Sequence, residues 1–171
     1  MKRTNAYHVA LTGMLFALAL VLSVLESWIT PLLGLAPGVK IGLANIVVMY
    51  ALLCMNRRQA LVLVVLKAGF ALLTRGAVAA LLSGCGGLVS LGVMCLLLLG
   101  KQRPTLFILS AAGAIAHNVG QLCVAAVLLG SGLALSYAPV LLVSGLVVGW
   151  LTGTLLRALL PSMQKALWKD Q

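Results

Sequence analysis

The chain has 171 residues, 63% of them hydrophobic and 8% charged, with twelve lysines and arginines against two acids and a formal net charge of +10. At a mean hydropathy of +1.17 there is too little polar surface to cover a soluble globule, so the composition describes an integral membrane protein. The cations punctuate apolar runs and build no basic face, which excludes nucleic-acid binding.

Six apolar runs follow one another, at roughly 7–25, 41–55, 59–74, 83–99, 105–129 and 138–160. A bilayer crossing takes about 20 residues, so nearly the whole chain is used in crossings. The expectation is an all-α membrane protein with a single integral membrane domain over 1–171, a compact bundle of about six transmembrane helices.

The first run follows Met1-Lys2-Arg3, as a secretory signal would. It is long, however, has no small-residue cleavage site after it, and closes at Glu26-Ser27-Trp28, which reads as an interfacial end. It is therefore taken as the first transmembrane helix. Ala6 with Ala10 and Gly13 with Ala17 are small-xxx-small pairs, which serve either packing inside the bundle or docking of another membrane subunit.

The second run opens with "APGVKIGLANIVVMY". Gly38 and Gly42 permit close backbone approach, and the free amides of a helix N-terminus attract anions, so Lys40 stands at an anion-receiving mouth. Asn45, one turn inside, either reads a ligand or bonds a neighbouring helix. The third run is short and contains Lys67, with Arg75 just past its end. Lys67 either serves a pathway or snorkels to the interface, and Arg75 either attracts a ligand or caps the helix against lipid phosphate. Between Arg75 and Gly87 irregular backbone is expected, which at membrane depth must be covered by protein or line a wet cavity.

The fourth and sixth runs carry "SGCGGLVSLG" and "SGLVVGWLTG", glycine faces suited to close helix crossings. The fifth carries "GAIAHNVGQL". His117 and Gln121 share a face, Asn118 lies three residues from Gln121, and Gly113 and Gly120 flank them. Such a polar island is costly against lipid and should face the bundle interior. His117 is either a ligand or proton-handling group or a satisfied structural one. Cys54, Cys85, Cys95 and Cys123 lack metal-type spacing and read as small buried hydrophobes.

Charge distribution supplies the topology. With a cytoplasmic N-terminus, nine cations (Lys2, Arg3, Arg57, Arg58, Lys101, Arg103, Arg157, Lys165 and Lys169) fall on the cytoplasmic side, and three (Lys40, Lys67 and Arg75) fall elsewhere. This is the positive-inside pattern, and it places both termini in the cytoplasm. The three exceptional cations face one acid, Glu26, which pairs with Lys40 either structurally or as part of a site. An outward pocket with excess positive charge favours an anionic ligand, and Glu26, Lys40, Asn45, Lys67, Arg75, His117, Asn118 and Gln121 are its candidate residues.

Catalysis finds little support. One glutamate and one C-terminal aspartate make neither a carboxylate pair nor a magnesium-diphosphate site, and no glycine run is completed as a P-loop. A stand-alone enzyme, a metal and a bound cofactor are not expected.

The segments "LESWITPLLGLAPGVKIGLANIVVMYAL", "LLSGCGGLVSLGVM" and "GAIAHNVGQL", in this order, resemble the signatures of the Gx transporter family, also labelled heptaprenyl diphosphate synthase component I. The resemblance implies a six-helix membrane protein similar to the substrate-binding S components of energy-coupling factor transporters. Such a subunit captures a small anionic cofactor or an isoprenoid, quinone or flavin precursor from outside. It works in the plasma membrane of a bacterium with a transmembrane coupling subunit and ATPases, and Ala6, Ala10, Gly13 and Ala17 would be the docking stripe. Two alternatives stand beside it: a non-catalytic membrane subunit associated with heptaprenyl diphosphate synthesis, and an accessory protein of extracellular electron transfer.

Overall fold

The computed structural model describes residues 2–32, 42–100, 104–129 and 131–168. They form six helices: α1 (Lys2–Leu32), α2 (Leu43–Cys54), α3 (Arg57–Arg75), α4 (Ala77–Leu99), α5 (Leu106–Leu129) and α6 (Ser131–Trp168). Helix α2 is the innermost. Ala44 and every residue from Ile46 to Leu52 are buried. Around them gather Leu15 and Ala19 of α1, Leu63 and Val64 of α3, Leu91 and Met94 of α4, Leu109 of α5 and Leu156 of α6. A helix that is apolar all round belongs inside a bundle, and α2 is such a helix. α1 and α6 pack against it, and α3, α4, α5 and α6 pack in succession.

Among the described residues four segments are long and apolar enough to cross a membrane: Val9–Ile29, Ala77–Leu99, Leu106–Leu128 and Leu141–Ala158. The chain is thus a multi-pass α-helical protein of the plasma membrane, but the expectation of six spans is corrected to four. Helix α2 has twelve residues and is about 18 Å long, well short of the roughly 30 Å hydrocarbon core. Helix α3 has nineteen but includes Arg57, Arg58, Lys67 and Arg75.

Helix boundaries depart from the apolar runs in two informative places. Helix α1 runs through Glu26-Ser27-Trp28 to Leu32, because the Ser27 hydroxyl donates to the Val24 carbonyl inside the helix and Glu26 is buried. The irregular stretch expected between Arg75 and Gly87 shrinks to one residue. Gly76 (φ 87°, ψ 179°) alone separates α3 from α4, in a backbone region essentially confined to glycine. The glycines that follow are helical. The Asn56 side chain caps α3 by accepting from the Gln59 N–H at 3.0 Å, and Thr105 caps α5 through the Ile108 N–H at 3.2 Å.

Because lipid is as apolar as leucine, helix association here rests on close packing. Gly145, Gly149 and Gly153 repeat every fourth residue and lay α6 against Ile115, Ala111 and Phe107 of α5. A Cβ at Gly149 would stand 2.5 Å from the Ala111 Cα. On the other side of α5, a Cβ at Gly120 would stand 2.9 Å from the Gly86 Cα of α4. Both glycine faces of the sequence are therefore helix contacts. The α1 stripe behaves differently: Ala6, Ala10, Gly13 and Ala17 are exposed, so they do not pack within the bundle. Cys54 and Cys123 are also exposed and Cys85 and Cys95 half-buried, all four as free thiols, which corrects their reading as buried hydrophobes.

Candidate functional site

Polar groups converge where α2 begins. Gly42 caps that helix in a left-handed conformation (φ 81°, ψ 18°), and its carbonyl accepts the Asn45 N–H at 2.9 Å. Its own N–H donates to Oε1 of Glu26 at 2.6 Å, and Glu26 is only 5% exposed. A carboxylate thus lies at the positive end of the α2 dipole.

This helix end is deep in the bundle. Gly42 lies against Val148, near the middle of the α6 span. One turn into α2, the Asn45 Oδ1 accepts from Nζ of Lys67 at 2.8 Å, and Lys67 stands midway along α3. The Lys67 stem turns inward to an amide instead of snorkelling. Helix α2 is consequently a short helix whose start lies level with the middle of α3 and α6 and near the far end of the α1 span, an arrangement in which helix ends are available for ligands and ions.

Two further elements close the site. Midway along α5, His117 is held by the close approach of α4, since a Cβ at Gly86 would stand 2.9 Å from the imidazole. From the end of α3, Nη2 of Arg75 reaches back to the Ser23 hydroxyl of α1 at 3.4 Å. Between these groups lies a cleft lined by Glu26, Asn45, Lys67, Arg75, Ser83 and His117, with Leu20 and Phe70 as its apolar wall. Its volume is about 20 Å³, room for one or two waters.

Two further cavities adjoin the cleft and share Asn45 with it. One, of about 10 Å³, lies between Lys67, Ser83, Ser90 and Met94. The other, of about 20 Å³, continues to Met49, Ala114, Val148 and Thr152.

A family model described as heptaprenyl diphosphate synthase component I matches residues 15–159. The chain belongs to this family. No curated protein and no solved structure matches it. The matched range contains every described residue that lines the cleft, from Leu20 to His117.

Of the residues expected at the site of this heptaprenyl diphosphate synthase component I family member, Glu26, Asn45, Lys67, Arg75 and His117 come together. Lys40 lies outside the described residues. Asn118 and Gln121 are buried on α5 but do not line the cleft. Asn118 turns to α6 and donates from Nδ2 to the Leu141 carbonyl at 2.7 Å, stapling the two helices above the Gly145 contact. Ser23 and Ser83 were not anticipated. Ser83 and Ser90 are seven residues apart, hence on one face of α4, and that spacing was the available signal. Among the described residues no group of three or more His, Cys, Asp and Glu side chains is placed to hold a metal.

Proposed function

We propose that this chain is a non-catalytic membrane subunit that binds a small anionic ligand at the start of α2, and that the ligand belongs to prenyl diphosphate metabolism. The observation that carries the reading is the convergence of Lys67 and Arg75 on a buried polar cleft whose single acid, Glu26, already accepts the Gly42 N–H. Ionisable side chains at membrane depth usually serve a ligand or a pathway. The family description supplies the diphosphate chemistry. Prenyl transfer itself calls for carboxylates that hold magnesium on the diphosphate, and the sequence has two acids in all. The catalytic groups are accordingly assigned to a separate soluble partner.

A second reading is the substrate-capture subunit of a transporter of the energy-coupling factor type. Its support is that the cleft gathers Ser23 and Glu26 from the far end of the α1 span, which turns it outward when the N-terminus is cytoplasmic. The exposed stripe of Ala6, Ala10, Gly13 and Ala17 would then meet the coupling subunit.

Mass spectrometry of small molecules retained by the gently purified protein tests the ligand. A diphosphate-bearing compound held by the wild type and lost from a Lys67→Ala/Arg75→Ala variant is the expected result; the same lipids in both would remove the cleft from function. Proteins recovered with the chain separate the readings. A soluble prenyl synthase subunit favours the first, a coupling subunit with ATPases the second.

A further inference from the structure

We infer that the cavity between α2, α3 and α4 holds a bound water, and that Ser90 of α4 acts through it as a positioning residue for the Lys67 ammonium. The water site stands on the cavity alone, whereas the positioning role rests on the reading of the cleft as an anion site. The cavity has a volume of about 10 Å³, the room of a single water, and a buried water calls for about three polar partners. Asn45, Lys67, Ser83 and Ser90 supply them, with Val64 and Met94 in the apolar wall.

The two serines decide the matter. Ser83 is 8% exposed and Ser90 4%. Ser27, Thr74, Ser144 and Thr154 donate back to carbonyls of their own helices, but no group among the described residues engages the hydroxyl of Ser83 or Ser90. Helix α5 faces Ser90 with Gly113, whose added Cβ would stand 3.3 Å from the hydroxyl oxygen, and glycine brings no side-chain partner. Beside them α3 and α4 meet tightly, since a Cβ at Gly87 would stand 2.7 Å from Cγ1 of Val64. Buried hydroxyls left unmatched are costly, and ordered water is their partner where no protein group reaches. A water both donates and accepts, so it serves a hydroxyl in either orientation and an ammonium as well, whereas a halide ion is larger and only accepts. Lys67 lines both this cavity and the cleft, and Ser90 lines the cavity but not the cleft. The ammonium is thus held by Asn45 on one side and by the water on the other, and Ser90 reaches an anion in the cleft only through that water.

Radiolytic hydroxyl-radical footprinting of the protein in phosphatidylcholine nanodiscs reads the water directly. Radicals formed from a bound water oxidise the nearest reactive side chain, here the thioether of Met94, which is only 3% exposed. The wild type should be labelled at Met94, and Ser90→Val, which removes the hydroxyl and fills the space, should lower that labelling about fivefold or more. Should Ser90→Val fail to assemble, Ser83→Ala/Ser90→Ala carries the same comparison. Absence of Met94 labelling in the wild type, or labelling unchanged in the variant, overturns the water site. An equal loss at Met49, which lines the neighbouring cavity and not this one, places the water there and overturns the assignment. Protection of Met94 by chloride but not by gluconate puts a halide in the cavity and overturns the water. Binding of inorganic diphosphate in the same nanodiscs tests the positioning role. Ser90→Ala should weaken it about three- to tenfold, the loss of one hydrogen bond to a charged group, and Ser90→Thr, which keeps the hydroxyl, should hold it near the wild-type value. Unchanged affinity in Ser90→Ala, or a larger loss in Ser90→Thr, overturns the positioning role and shows a packing residue. No binding of diphosphate by the wild type overturns the cleft reading and the positioning role with it, while Met94 labelling still decides the water.

Discussion

The backbone N–H of Gly42 donates to the carboxylate of Glu26 across 2.6 Å, so the far part of α1 is tied to the buried start of α2. Glu26→Ala removes this acceptor and leaves a buried donor without it, at a cost of about 1–3 kcal/mol. Glu26→Gln keeps an oxygen in place and should cost clearly less. Thermal unfolding of the two variants in one detergent compares them. Equal losses would show that the charge, not the acceptor, holds the contact.

Gly42 contributes through its own geometry as well. At φ 81° an alanine carries the left-handed penalty, about 1–2 kcal/mol, and its Cβ would stand 2.9 Å from Cγ1 of Val148. Gly42→Ala should therefore destabilise the bundle. Adding Val148→Ala removes the clash and leaves the backbone strain, so the double variant should regain part of the loss relative to the sum of the single changes. A strictly additive pair would mean that the two positions do not touch.

How far these relationships were legible in the sequence differs by type. Membrane class follows from composition, and the glycine faces of α4 and α6 follow from spacing, because small residues at helical intervals are what close crossings use. The role of α2 was not legible: an apolar run has the same pattern whether it meets lipid or other helices, and only its neighbours make it a core helix. Glu26 misled because an acid beside serine and tryptophan is the pattern of an interfacial end. Its partner is a backbone N–H sixteen residues away, which no side-chain pattern announces. The glycines after Gly76 misled in the opposite direction, since glycine weakens helices in water but serves as contact surface between packed ones. The site was half legible. Ionisable residues in apolar runs flagged Lys67 and Arg75, while the turn of Asn118 toward the Leu141 carbonyl depends on how α6 crosses α5.

The glycine pattern makes a paired prediction. Gly149→Ala would place a Cβ 2.5 Å from the Ala111 Cα, and neither backbone yields without parting α5 from α6. A loss of more than about 2 kcal/mol is expected, near the upper range of overpacking costs. Gly13 in α1 has open space around its Cβ position, and Gly13→Ala should be neutral or stabilise by up to about 1 kcal/mol through helix propensity. Unfolding of both variants in the same detergent gives the contrast. A large loss from Gly13→Ala would place that face of α1 in an interface.

Lys67→Met tests the centre of the site. Methionine keeps a long stem along the α3 surface but removes the ammonium that donates to Asn45 at 2.8 Å. Two effects on stability oppose each other. The variant loses a charge-assisted hydrogen bond, about 1.5–3 kcal/mol, and gains relief from a cation in the bilayer, on the order of 2.5–3.5 kcal/mol. The melting temperature should therefore change little or rise. Anion binding has no such compensation, because the attraction of a cation in a low-dielectric cleft disappears outright, and affinity for inorganic diphosphate should fall at least tenfold. Asn45→Ala separates position from charge: Lys67 keeps its ammonium but loses its anchor, so binding should weaken less than in Lys67→Met. If Lys67→Met instead unfolds the bundle while Asn45→Ala leaves diphosphate binding intact, Lys67 serves packing and the anion site must be sought elsewhere.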